Sequence, residues 1–181
     1  MDLSRQFEPR DAAVAAPTAG ALVAVAAVVT AVVALLNPPG GGAPARVLAV
    51  GVPALLLTSL GLLSRRGRRP TPLLTVIPLI GLLAITGLDL ATSDASISGY
   101  IYFCYPVLYA ASQLRPGAAT AVTATAVALS AVVAFALTPP GRAVVDVAYL
   151  ATTMVAITVV LVRTGSRQDT IVRALEEGSA H

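Results

Sequence analysis

The chain has no lysine, one cysteine and one histidine, and charged residues fill only 12% of its 181 positions. Each scarcity removes a class of chemistry. His181, the single histidine, is also the last residue, so acid–base catalysis by imidazole, Cys–His nucleophile pairs and multi-histidine metal sites are excluded. Cys104 has no partner within the chain for a disulfide. No G-x-x-x-x-G-K-[ST] run is present to cradle a nucleotide phosphate. These residues point to no catalytic group, no metal and no cofactor.

What remains is apolar. Hydrophobic residues make up 56% of the chain and mean hydropathy is +0.83, more than a water-soluble domain of this size hides from solvent. A stretch such as AVAAVVTAVVALL is apolar on every side and lacks the period-2 alternation of a barrel or sandwich strand. With a helical rise of about 1.5 Å per residue, about 20 apolar residues cross roughly 30 Å of hydrocarbon. Six stretches qualify: residues 17 to 36, 44 to 63, 72 to 90, 97 to 113, 117 to 138 and 141 to 162. The runs NPPGGGAP, SRRGRRP, DLATSDASISG, QLRPG and LTPPGR separate them, and Pro, Gly and charge are helix-ending signals. The expected fold is an all-α membrane protein, a six-transmembrane-helix bundle with a short cytoplasmic C-terminal signalling helix. Residues 1 to 16 are a cytoplasmic leader, 17 to 163 the membrane domain, and 164 to 181 a linker and signalling helix.

Cytoplasmic loops of membrane proteins carry the excess of arginine and lysine. Arg5 and Arg10 precede the first span, Arg65, Arg66, Arg68 and Arg69 join the second to the third, Arg115 joins the fourth to the fifth, and Arg163, Arg167 and Arg173 follow the sixth. Only Arg46 and Arg142 fall on the other side. Both termini are therefore expected in the cytoplasm. A signal peptide cut at Ala43-Pro44-Ala45 is the competing reading of the first span. Its apolar run exceeds the about 7 to 15 residues of such leaders, and Asp2, Glu8 and Asp11 accompany the leader's arginines. The net charge of +3 comes from loop arginines, which anchor topology at lipid headgroups, not from a nucleic-acid surface.

Carboxylates in a bilayer are retained mainly where something uses them. Asp89 and Asp94 lie at the outer end of the third span and in the loop beyond it, where they solvate the loop; Asp146 pairs with Arg142 one helical turn away. A second reading builds a polar ligand pocket opening outward. Tyr102, Tyr105 and Tyr109 share one face of the fourth span, and Asp146, Tyr149 and Thr153 share one face of the sixth. Such a pocket would take an unknown small ligand. Pro78 and Pro106 fall inside the third and fourth spans, where a proline frees a carbonyl and bends the helix. In a chain this rich in alanine, small-xxx-small spacings such as Ala121 and Thr125 arise by chance and are weak evidence for helix contacts.

The tail RTGSRQDTIVRALEEGSAH changes character. Gly165 can interrupt the last span, and Ser166 with Asp169 has the spacing of a capping box, so a fresh helix is expected there. Along it Gln168, Ile171 or Val172, and Leu175 recur at three-to-four-residue intervals. A helix of fewer than about 12 to 15 residues is marginal alone in water, so it needs a partner, the simplest being the same helix of a second copy in a homodimer. The competing role is an amphipathic tail resting on headgroups.

The run VRTGSRQDTIVRALEEGSAH resembles the juncture between a multi-span membrane module and the GGDEF domain of bacterial diguanylate cyclases, and YPVLYAASQLRPGAA is similar to the membrane modules preceding such domains. In that family a short signalling helix rich in Arg, Gln, Leu and Glu ends in small residues and His just before a D-x-L-T-G-L opening. The resemblance implies a sensory or dimerising input region of an enzyme making cyclic di-GMP from two GTP, in a bacterial inner membrane, with its output domain beyond His181. Absent lysine and abundant alanine suit a GC-rich bacterial source. The GGDEF signature and its phosphate- and metal-binding residues do not occur in these 181 positions, so no catalytic residue carries over. The competing function class is a small six-helix transporter or channel subunit.

Overall fold

The computed structural model describes residues 9–36, 43–64, 71–93 and 95–179, and these residues are helical apart from short links. The helices are α1 (Ala12–Leu36), α2 (Ala43–Ser64), α3 (Thr71–Thr92), α4 (Ile97–Ile101), α5 (Cys104–Gln113), α6 (Pro116–Leu137) and α7 (Pro140–Ser179). Among the described residues the sole β pairing is an isolated antiparallel bridge between Pro9 and Leu114. Four stretches are long and apolar enough to cross a membrane: Ala13–Val32, Leu74–Thr92, Pro116–Leu137 and Pro140–Gln168; a shorter apolar one is Ala49–Ser64.

Helix boundaries follow from where backbone groups find partners. α1 starts five residues before the expected residue 17 because the Asp11 carboxylate accepts from Ala13 N at 2.8 Å and its carbonyl from Ala15 N at 2.9 Å, an N-cap arrangement. Pro17 falls inside the second turn of α1, where it offers no N–H to the Ala13 carbonyl four residues back. α3 continues through Pro78 and ends at Ser93, whose φ of 54° is left-handed. Pro116 occupies the first turn of α6, and Pro139 supplies the carbonyl that Arg142 N and Ala143 N meet at 3.0 and 2.9 Å as α7 begins.

The fourth segment departs from expectation: it is two helices, not one continuous helix. Pro106 has no N–H to offer the Tyr102 carbonyl four residues back. Tyr105 N takes that carbonyl instead at 3.2 Å, while Tyr102 N and Phe103 N reach Gly99 O and Tyr100 O at 3.1 and 3.2 Å. These are the three-residue bonds of a tightened turn. The broken turn is deep in the protein, with Phe103 fully buried.

α5 lies at the centre, packed against α1, α3, α6 and α7. Its inner residues Val107, Tyr109 and Ala110 join Leu74 and Leu82 of α3, Val122 and Val133 of α6 and Met154 of α7 in one core. α6 buries Ala118, Val122, Ala126, Ser130 and Ala134, a four-residue repeat of mostly small side chains that lets neighbours approach closely. Ala121 is one position off that stripe and is exposed, in keeping with a spacing that arises by chance in so alanine-rich a chain. The outside is unusually apolar: Leu57, Leu83 and Val160 are 70%, 62% and 61% exposed. Such a surface suits lipid and would be an aggregation liability in water.

Polar contacts pin the bundle. Thr123 and Thr158 hydroxyls meet at 2.7 Å between α6 and α7 while each also approaches its own i−4 carbonyl at 2.9 Å. Ser59 Oγ donates to Gly20 O at 2.8 Å between α2 and α1. A Cβ at Gly20 would come within 2.9 Å of Leu63 Cγ and 3.2 Å of Leu62 Cβ, whereas one at Gly51 meets nothing within 4 Å. Gly20→Val is expected to destabilise by about 1–3 kcal/mol through overpacking, and Gly51→Ala to leave stability unchanged or raise it by up to about 1 kcal/mol. Thermal unfolding of both variants in one detergent checks this; equal melting temperatures would contradict the close packing of α1 on α2.

Candidate functional site

The six residues expected to line an outward pocket fall into two groups, one at α4–α5 and one on α7. On the α4–α5 side, the Tyr102 hydroxyl lies 3.1 Å from Thr30 Oγ1 of α1, and the Tyr102 and Tyr105 rings are 6.1 Å apart and tilted by 43°. Tyr109 is buried and donates its hydroxyl to Leu74 O of α3 at 3.1 Å. On α7, Asp146 faces Arg142 at 3.5 Å, as their i,i+4 spacing expects. Tyr149 is 74% exposed, and Thr153 bonds back to the Tyr149 carbonyl at 2.9 Å. No hydrogen bond or ring contact joins the two groups among the described residues. The break between α4 and α5 separates Tyr102 from the helix that carries Tyr105 and Tyr109, and α7 turns Met154 and Thr158 inward and leaves Tyr149 outside.

Asp89 is where the structure most revises the sequence reading. It lies near the end of α3, as expected, but instead of solvating the adjoining loop it is only 3% exposed. The reason is helical phase: Leu74, Leu82, Thr86 and Asp89 fall on one buried face of α3, and α3 packs on α6 and α5. Tyr100 is buried as well. A buried carboxylate near a helix end in an apolar bundle is a functional candidate on physical grounds. Asp94 lies outside the described residues.

The second candidate region is the exit of α7. No break occurs at Gly165, contrary to the expected interruption and fresh helix; α7 runs unbroken for 40 residues, about 60 Å at 1.5 Å per residue. Ser166 does not act as a cap. Its Oγ donates back to Val162 O at 2.9 Å, and Thr170 likewise to Ser166 O at 3.0 Å, bonds made inside a continuing helix. Gln168 is exposed and Ile171 is 59% exposed, available to a partner; the side chains of Val172 and Leu175 lie outside the described residues. α7 is also the least covered helix, with 11% of its apolar stretch buried against 28–33% for the other three long ones.

One residue that the sequence reading treated only as a topology charge organises this end. Arg10 N donates to Gln113 O at 2.8 Å, its Nε to Leu114 O at 3.1 Å and its Nη2 to Val162 O at 3.5 Å. The start of α1, the end of α5 and the exit of α7 therefore share one end of the bundle. No spacing in the sequence signals this, because the acceptors are main-chain carbonyls more than 100 residues away.

Tyr109→Phe removes a buried hydrogen bond and strands the Leu74 carbonyl, so a loss of about 1 kcal/mol is expected. Tyr149→Phe, at an exposed position, is expected to shift stability by no more than about 0.5 kcal/mol, and Asp146→Asn, half-buried but paired with an exposed Arg142, by no more than about 1 kcal/mol. Equilibrium unfolding in mixed micelles separates the two cases, and a large loss in Tyr149→Phe would reinstate a packed environment for that ring. Comparison with protein-family models, with curated proteins and with solved structures finds no match to this chain.

Proposed function

We propose that the chain is the membrane-embedded input module of a bacterial signalling protein, with six crossings, α4 and α5 together making the fourth. Both termini face the cytoplasm of an inner-membrane protein, on the arginine distribution. The observation that carries this reading is the unbroken α7, whose apolar stretch continues into a polar, charged helix without a joint. A stiff helix transmits displacement or rotation; a loop at Gly165 would absorb it. Resemblance of the tail to the region preceding GGDEF domains makes a diguanylate cyclase the proposed output, regulated by homodimer contacts of Gln168, Ile171, Val172 and Leu175. A ligand or membrane property that favours one packing of the helices shifts a two-state equilibrium. α7 carries that bias to the register of two output domains.

A second reading, a small transporter or channel subunit, gains support from the interrupted fourth segment, since discontinuous helices mark substrate and ion sites in transporters, and from buried Asp89. One experiment separates the two. The chain is fused to a cyclase catalytic domain, and one to four alanines are inserted between Gln168 and Asp169, each turning the helix by about 100°. Cyclic di-GMP output is expected to rise and fall with a period of about 3.6 residues. A flat response, together with solute flux in proteoliposomes of the unfused chain, would favour the transporter.

A further inference from the structure

Three segments remote in sequence are tied by the side chain of Arg10, and the seat it occupies depends on Gly165. A Cβ built at Gly165 would fall directly on the Arg10 guanidinium. By contrast, Gly51, Gly87 and Gly141 have open space at the corresponding position, so clearance at 165 is a local requirement. The acceptor is equally particular. Val162 O receives Arg10 Nη2 at 3.5 Å and Ser166 Oγ at 2.9 Å, besides the main-chain N–H that a regular helix brings to it. Glycine is a poor helix former, and serine bonding back to an i−4 carbonyl bends helices. The turn from Val162 to Ser166 is therefore a weak one in α7, and it is the turn that Arg10 spans. The other bonds of Arg10, to Gln113 O and Leu114 O, anchor the grip to the end of the central helix. Leu114 is fully buried, and its bridge to Pro9 aligns the segment.

We infer that Arg10 and Gly165 form a clasp that keeps α7 straight where it leaves the bundle, and that opening the clasp converts the exit into a hinge. The segment before α1 is thus a conformational control element as well as a topology signal. Closed, it makes the tail a rigid extension of the bundle. Open, it leaves a glycine-weakened turn with no support from α5. The clasp is a property of the fold and does not depend on what the tail addresses.

The test uses the full chain in lipid nanodiscs and measures amide hydrogen exchange across residues 163 to 171 in wild type, Arg10→Ala, Gly165→Ala and the double variant. Arg10→Ala is expected to speed exchange about tenfold, the loss of roughly one charge-assisted hydrogen bond. Gly165→Ala, which evicts the guanidinium, is expected to speed it as well although alanine is the better helix former. In the Arg10→Ala background the same substitution is expected to slow exchange by about fivefold, as helix propensity alone dictates. This reversal of sign is the signature of the clasp. Slower exchange on Gly165→Ala in both backgrounds would overturn it, as would unchanged exchange in Arg10→Ala, which holds even where Gly165→Ala fails to accumulate. No output domain enters the measurement, so its failure is distinct from failure of the cyclase fusion.

Discussion

An apolar surround offers no hydrogen bonds, so every main-chain polar group in such a bundle has to be satisfied from within the chain. On the proposed membrane setting, that constraint explains more of this molecule than any single contact. It makes the long segments helical and sends the hydroxyls of Thr18, Thr58, Thr86 and Thr125 back to their own i−4 carbonyls. It also decides where irregular backbone is tolerated. Pro106 cannot complete the helix at Tyr102, and the tightened turn that results sits beside fully buried Phe103 rather than on the periphery.

Given helices, the remaining question is what holds them together, since burial of apolar surface drives little association when the surround is itself apolar. Close approach of small residues and a few directed bonds do the work. Ala118, Ala126, Ser130 and Ala134 open the α6 surface, Gly20 admits Leu62 and Leu63, and Thr123, Thr158, Ser59 and Tyr109 supply hydrogen bonds between helices. α5, too short to cross a bilayer alone, packs on four longer helices and is their common neighbour.

Against this packed centre α7 stands apart: least covered, longest, and continuous into the polar tail. A helix held along part of one face by its neighbours and free beyond them is mechanically a lever, and the contacts that set its position lie at two levels. Thr123 meets Thr158 within the bundle, and Arg10 meets Val162 at the exit. On the proposed role as an input module, changes at the first level move the lever, and the second determines how stiffly that movement reaches Gln168 and Ile171.

Composition and hydropathy were enough for the helical class and for the positions of most helices, because these depend on local periodicity. The same local information pointed to Pro106 as a disruption. It could not say which face turns inward, since in a chain this rich in alanine and valine both faces look alike; hence Asp89, at the end of the third span, was read as solvated and Tyr149 as pocket lining. Gly165 shows the limit most plainly. Its intrinsic preference is to end a helix, and only the tertiary fold, by bringing an arginine from the opposite end of the chain to three main-chain carbonyls, gave that glycine a place inside one.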